Sequence, residues 1–241
     1  MSIPAADLVV PHRVRSLARG AATRPVWRNQ RGGTTFRTDD GRFIKYGLRN
    51  LETTMSGEAD RLAWAVRHTP VPEVVESGSD TTTEWLVTRA LPGLSAVDPR
   101  WLAEPAVAVR AVGTGLRALH DALPVGGCPF DWSVPARLAA ASRRGIRLPD
   151  RLREPPDVDV AVVCHGDACC PNTLLADDGS WRAHVDLGAL GVADRWADIA
   201  VAAMSTEWNY GPGWEGALLD AYGVDPDPGR QSYYRDLWNA T

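Results

Sequence analysis

The feature that most restricts the fold of this chain is a change in apolar periodicity at Leu91-Pro92-Gly93. Before it, short alternating segments are divided by turn residues. Trp27 and Phe36 flank Asn29-Gln30-Arg31-Gly32-Gly33-Thr34, Asp39-Asp40-Gly41 turns into Arg42-Phe43-Ile44-Lys45, and Glu84 to Thr88 is a further strand. One helix interrupts them over 57–68, where Ala59, Leu62, Ala63 and Val66 recur at helical spacing before Pro70 and Pro72 stop it. After the break, Val107, Val109, Val112, Leu116 and Leu119 mark a helix over 106–123. Strand-like runs follow at 158–164 and 181–185, and the remainder reads as helices with joints near 211–213 and 223–229. These patterns give a hairpin-rich start, a linker-like break near 89–93 and a mainly helical remainder, which suit either one sizeable core or two lobes.

Composition bounds the function. With 241 residues and 44% hydrophobic content, the chain can bury a sizeable core, and a formal charge of -4 argues against a nucleic-acid binder, which needs a clustered basic surface. No run approaches the roughly 20 apolar residues that a membrane helix requires, and residues 1–22 lack the apolar block of a signal peptide, so a cytoplasmic location is expected. Four cysteines are few for a disulfide framework, so reduced thiols are expected.

The chemistry concentrates in Val163-Cys-His-Gly-Asp-Ala-Cys-Cys-Pro-Asn172 and in Val185-Asp186-Leu-Gly188. Phosphoryl transfer needs an acid beside the attacking hydroxyl and oxygen ligands for Mg²⁺ that neutralise the β- and γ-phosphates. Asp167 suits the first role; Asn172 and Asp186 suit the second. The five-residue step from Asp167 to Asn172 lets one loop project both side chains, Pro171 stiffens it, and a hairpin returning through His184-Val185 brings Asp186 to the same edge. Three cysteines lie beside this segment, but structural zinc needs four convergent ligands, so buried thiols are expected. A hydrolase reading lacks a serine in a Gly-x-Ser-x-Gly setting.

His165-Gly-Asp-x-x-x-x-Asn172, Asp186-Leu-Gly and Gly191-Val-Ala-Asp-Arg-Trp-Ala-Asp-Ile-Ala200 resemble the aminoglycoside phosphotransferase family, as do Cys128-Pro-Phe130 and Leu116-x-x-Leu-His120. The resemblance spans about 27–234 and implies a bilobal α+β, protein-kinase-like fold, with a small antiparallel-sheet lobe over 1–91 and a larger, mainly helical lobe over 92–241, ATP or GTP as co-substrate and Mg²⁺ as cofactor. It gives Lys45 the role of the strand lysine on the α- and β-phosphates and Glu58 that of its helix partner, although alone the two would also suit a surface ion pair. Gly32, Gly33 and Thr34 occupy the place of the phosphate-covering loop, although two glycines also suit an ordinary hairpin turn. The nucleobase is expected against backbone groups of 88–91, at Thr88 and Ala90. Asp198 resembles the acid that holds the catalytic loop, and His165 and His120 are expected to be structural.

The acceptor implied is an antibiotic hydroxyl, first an aminoglycoside. Two departures favour a less cationic acceptor such as a nucleoside antibiotic, or a metabolite. The segment before the loop carries Arg137, Arg143, Arg144, Arg147, Arg151 and Arg153, which would not attract a polycation although they would also suit a solvated helix face, and Trp238 and Asn239 stand where acids are expected. Acids remain at Asp194, Glu207, Glu215 and Asp220. Trp208, Tyr210 and Trp214 would suit either stacking on a ligand or packing. A third reading is a catalytically silent nucleotide-binding module.

Overall fold

The computed structural model describes residues 8–29, 32–49 and 54–241; Gln30 and Arg31 of the expected phosphate loop lie outside the described residues. The chain divides into two compact units, Met1–Arg67 with Val71–Leu91, and His68–Pro70 with Pro92–Thr241.

The first unit contains α1 (His12–Ala18), β1 (Thr23–Arg28), β2 (Thr34–Thr38), β3 (Arg42–Leu48), α2 (Met55–Ala65), β4 (Val74–Ser79) and β5 (Thr83–Arg89). The strands form one antiparallel sheet in the order β1-β2-β3-β5-β4, which makes β3 its centre. Successive residues of a strand face opposite sides. Ile44 therefore joins Phe36, Val87, Val14 and Leu17 in a core covered by α1, while Lys45 faces away from that core. The start of α2 is set by Thr54, whose hydroxyl accepts the Gly57 N–H at 2.9 Å, as an N-cap should. Helix α2 ends at Ala65, short of the expected His68, and α1 and β4 were not anticipated. The sequence of β4, Val-Val-Glu-Ser-Gly-Ser, is too polar to show an alternating apolar face; its pairing with β5 makes it a strand.

The second unit contains β6 (Leu94–Ser95), α3 (Pro99–Leu102), α4 (Pro105–Ala122), α5 (Val134–Arg143), β7 (Ala161–Cys164), β8 (Thr173–Leu175), β9 (Trp181–His184), β10 (Gly191–Asp194), α6 (Trp196–Tyr210), α7 (Glu215–Tyr222) and α8 (Pro228–Ala240). Its core gathers Val109, Val112, Leu116 and Leu119 of α4 with Ile199 of α6, Leu218 and Leu219 of α7 and Leu237 of α8. Helix α6 is buried all round from Trp196 to Thr206, as befits a central helix. Two small sheets, β7–β10 and β6–β8–β9, carry the polar loops. The expected strand at 158–164 begins only at Ala161, because Val158 and Val160 are exposed. No helix among the described residues is long and apolar enough to cross a membrane.

Candidate active site

In the second unit, two antiparallel pairings assemble the loop 165–172 and its neighbours. The hairpin β8–β9 sets Thr173 opposite His184. One step beyond that register, the Val185 N–H donates to the Asn172 carbonyl at 3.0 Å. Asn172 and Asp186 therefore emerge at the same end of one hairpin, as their spacing anticipated. Asp186 is exposed and adopts φ +66°, a left-handed conformation that aspartate tolerates better than most residues. Asn172 donates its side-chain N–H to the Asp167 carbonyl at 2.9 Å and to Asp167 Oδ2 at 3.2 Å, which leaves its amide oxygen as the atom offered to a cation.

The pairing of β7 with β10 sets Cys164 opposite Gly191 and leads straight into α6. From α6, the fully buried Asp198 grips the start of the loop. Its Oδ2 accepts the His165 N–H at 2.5 Å and its Oδ1 accepts the Gly166 N–H at 2.9 Å. His120 of α4 approaches the same Oδ2 through Nε2 at 3.0 Å, and its Nδ1 meets the Tyr222 hydroxyl at 2.8 Å. His165 Nδ1 accepts the Asp167 N–H, which leaves the proton on Nε2 to be donated to the Val185 carbonyl at 3.0 Å. Both histidines thus hold the loop rather than face a reactant.

Gly166 is required twice over. Its φ is +84°, and a Cβ there would run into the Ala189 carbonyl. Gly166→Ala is expected to cost about 1–3 kcal/mol and to displace Asp167 with it. Chemical denaturation alongside turnover measures both effects.

Asp167 is half-buried, and its Oδ1 has no nitrogen or oxygen partner among the described residues. Burial raises its pKa; hydrogen bonding from the Cys169 thiol opposes the rise, and repulsion from Asp186 adds to it. The Asp186 carboxylate and the Asn172 amide oxygen, which share one hairpin end, would make an all-oxygen donor pair of the kind that suits a hard divalent cation such as Mg²⁺. The thiols are a different matter. Cys164, Cys169 and Cys170 are buried and free, and burial pushes Cys170 up to about 11. His120, Cys164 and Asp198 converge within 4.8 Å, yet Asp198 already accepts three N–H groups, so the cluster is a hydrogen-bonded strut and lacks the four convergent ligands of structural zinc.

Two features were not anticipated in the sequence. Ser205 Oγ accepts the buried Cys170 N–H at 2.9 Å, and Asn209 Nδ2 donates to the Ser205 carbonyl at 2.7 Å and to its Oγ at 3.2 Å. The signal lay in the seven-residue step from Asp198, which returns to one face of a helix. The arginines at 137–153 also differ from a uniformly basic face. Arg137 is 4% exposed, stacks on Trp132 and donates to Thr241 Oγ1, while Arg151 and Arg153 pair with Asp236 and Asp150.

In the first unit, Lys45 Nζ donates to both oxygens of Glu58, at 2.7 and 2.9 Å, and Glu58 is 7% exposed. Glu58 is thus nearly enclosed while Lys45 stays partly exposed, a more protected pair than the surface ion pair that the two residues alone would suit. Gly32, at φ +83°, donates its N–H to the Asn29 carbonyl, and the Gly33 N–H is held by Asn29 Oδ1 at 2.8 Å, which closes the turn ahead of Thr34. Gly33 crosses close over Gly47, two residues beyond Lys45 and on the same face of β3. Thr88 lies in β5, nearly buried. At 88–91, the Arg89 and Ala90 amides are already engaged, donating to the carbonyls of Glu73 and Gly41. A nucleobase meeting Ala90 would use its carbonyl.

Comparison with known proteins follows the same lines. Residues 14–234 match the model of the Phosphotransferase enzyme family. The aminoglycoside 3'-phosphotransferase of Streptomyces fradiae is 42% identical, with 73% of this chain and 75% of that protein covered. The streptomycin 3''-kinase of Streptomyces griseus is 31% identical, with 86% and 87% covered. The solved structure of a 3''-type aminoglycoside phosphotransferase from Streptomyces rimosus, in complex with ADP and streptomycin, aligns with TM-score 0.71 and 25% identity over 93% of this chain and 94% of that one. With its α+β architecture, its loop from His165 to Asn172 and its Lys45–Glu58 pair, the chain belongs to the aminoglycoside phosphotransferase family of small-molecule kinases.

Proposed function

We propose that the chain transfers the γ-phosphate of ATP or GTP to a hydroxyl of an aminoglycoside antibiotic and so confers resistance. The observation that carries this reading is the hydrogen-bonded span from Asp167 to Asn172, preceded by the His165 and Gly166 amides held by Asp198 and followed at the same hairpin end by Asp186. The identity to the 3'- and 3''-phosphotransferases of two Streptomyces species supports the acceptor class.

In this reading, Asp167 orients the acceptor hydroxyl and takes its proton as the oxygen attacks the γ-phosphorus and the bond to the β-phosphate breaks. A proton affinity raised by burial suits a group that must accept a proton. Mg²⁺ held by Asn172 and Asp186 would neutralise charge on the β- and γ-phosphates. Lys45, fixed by Glu58, steadies the α- and β-phosphates. Gly32, Gly33 and Thr34 cover the phosphates, and backbone groups near Thr88 and Ala90 meet the base.

One observation favours a second acceptor class, a less cationic antibiotic such as a nucleoside. Glu207 and Glu215, acids that could meet a polycation, are ion-paired with Arg235, and Asp236 with Arg151. The Trp208 and Trp238 rings meet at a tilt, with centroids 5.6 Å apart. The test is diphosphate release with ATP and GTP against panels of both drug classes, together with susceptibility of cells expressing the gene. Aminoglycoside-dependent release with protection is expected. Release confined to nucleoside antibiotics would move the function to the second class, and silence across both panels would leave a nucleotide-binding module.

A further inference from the structure

Helix α6 touches the catalytic loop twice. Asp198 accepts hydrogen bonds from the His165 and Gly166 amides at the loop's start, and Ser205 Oγ accepts one from the Cys170 amide near its end. The two residues stand seven apart, on one face of the helix and about 10 Å from each other along its axis. Both are 0% exposed. The loop from His165 to Cys170 therefore lies along α6, fastened at both ends.

The second fastening bears on the reactive side chains. Pro171 has no N–H, so the Cys170 amide is the last one before Asn172. The Asn172 N–H in turn donates to the Cys169 carbonyl at 2.9 Å, and its side chain grips Asp167. A displacement of Cys170 thus carries Asn172 with it, and Asn172 carries Asp167. Asn209, one turn beyond Ser205, buttresses its hydroxyl and carbonyl, and the Tyr210 hydroxyl ties the helix end to the Ala96 carbonyl at 2.8 Å.

We propose that Ser205 is a positioning residue for phosphoryl transfer: its hydroxyl, buttressed by Asn209, fixes the end of the catalytic loop and so sets Asn172 for the metal and Asp167 for the acceptor. This rests on the reading of Asp167, Asn172 and Asp186 given above. Without the hydroxyl, the buried Cys170 N–H loses its acceptor, so the loop moves to find another. A shift below 1 Å is enough to impair the geometry of transfer.

The experiment compares Ser205→Ala and Asn209→Ala with the wild type in three measurements: kcat and acceptor KM, calorimetric ADP affinity with Mg²⁺, and ADP affinity without it. Ser205→Ala is expected to lower kcat about tenfold with little change in acceptor KM. It should also weaken ADP binding about tenfold with Mg²⁺ present and leave Mg²⁺-free binding unchanged, as for a group that orients a ligand of the metal. Asn209→Ala, half-buried and retaining the Ser205 hydroxyl, should fall between the two and carries the test if Ser205→Ala does not fold. Unchanged kcat and Mg²⁺-dependent ADP affinity in these variants would overturn the proposal. So would an equal loss of ADP affinity with and without Mg²⁺, which marks general loosening. A wild type without acceptor-dependent turnover would count against the proposed function, while the two ADP affinities would still decide the role of Ser205.

Discussion

Asp167→Asn should lower turnover about a thousandfold while leaving ADP affinity close to that of the wild type, the size expected when a positioned proton acceptor is lost. The substitution keeps the shape of the side chain, so the loop held by Asp198 and Ser205 should stay in place. What disappears is the capacity to take the acceptor proton and a negative charge whose pKa is already raised by burial and by Asp186. Acceptor-dependent diphosphate release and ADP calorimetry on the same sample provide the check. Turnover within tenfold of the wild type would remove Asp167 from the chemical step and leave it a structural member of the loop. Loss of ADP affinity to the same degree as turnover would place its main effect on nucleotide binding instead.

Asp198→Ala should be the most destabilising single change at the site, by about 3–5 kcal/mol, because it leaves three buried donors without their acceptor. Those donors are the His165 and Gly166 amides and His120 Nε2, all directed at a carboxylate that is 0% exposed. The pH dependence follows from the same contacts. Burial pushes the Asp198 pKa up, but hydrogen bonding and charge from His120, with further help from His165 and the Gly166 amide, outweigh it and leave the folded value below the ordinary one. A folded pKa below the unfolded one gives stability that is complete above about pH 4 and is lost as pH falls through the lowered value. Urea midpoints measured between pH 7 and pH 3 should therefore fall on the acid side for the wild type and fall less for Asp198→Ala. A loss under 1 kcal/mol at pH 7 would show that water or another group replaces the carboxylate.

Much of the site was legible because its parts are close in sequence. The five-residue step from Asp167 to Asn172 and the short hairpin to Asp186 leave little freedom, since a turn and a two-strand register are settled by local geometry. Helix α4 was legible for the same reason: the spacing of Val109, Val112, Leu116 and Leu119 is a property of one segment. Lys45 and Glu58 sit at an intermediate distance. Their residue types and order suggested a pair, but only the central place of β3 and the helix start at Thr54 bring Lys45 to a nearly buried Glu58.

Other features depend on partners far along the chain. The polar sequence of β4 is a strand because β5 offers it an edge, and the Ala90 amide is occupied because sheet packing brings the Gly41 carbonyl beside it. Arg137 reads as one of six surface charges and is instead enclosed against Trp132, with Thr241 as its hydrogen-bond acceptor. Ser205 looks like any small helical residue until the loop lies along α6. The sequence by itself determined which groups could do chemistry and their order, because side-chain type and short spacings are local. Only the tertiary structure decided which amides are occupied, which charges are enclosed and what holds the loop, because each of those depends on atoms that tens of residues of chain must bring together.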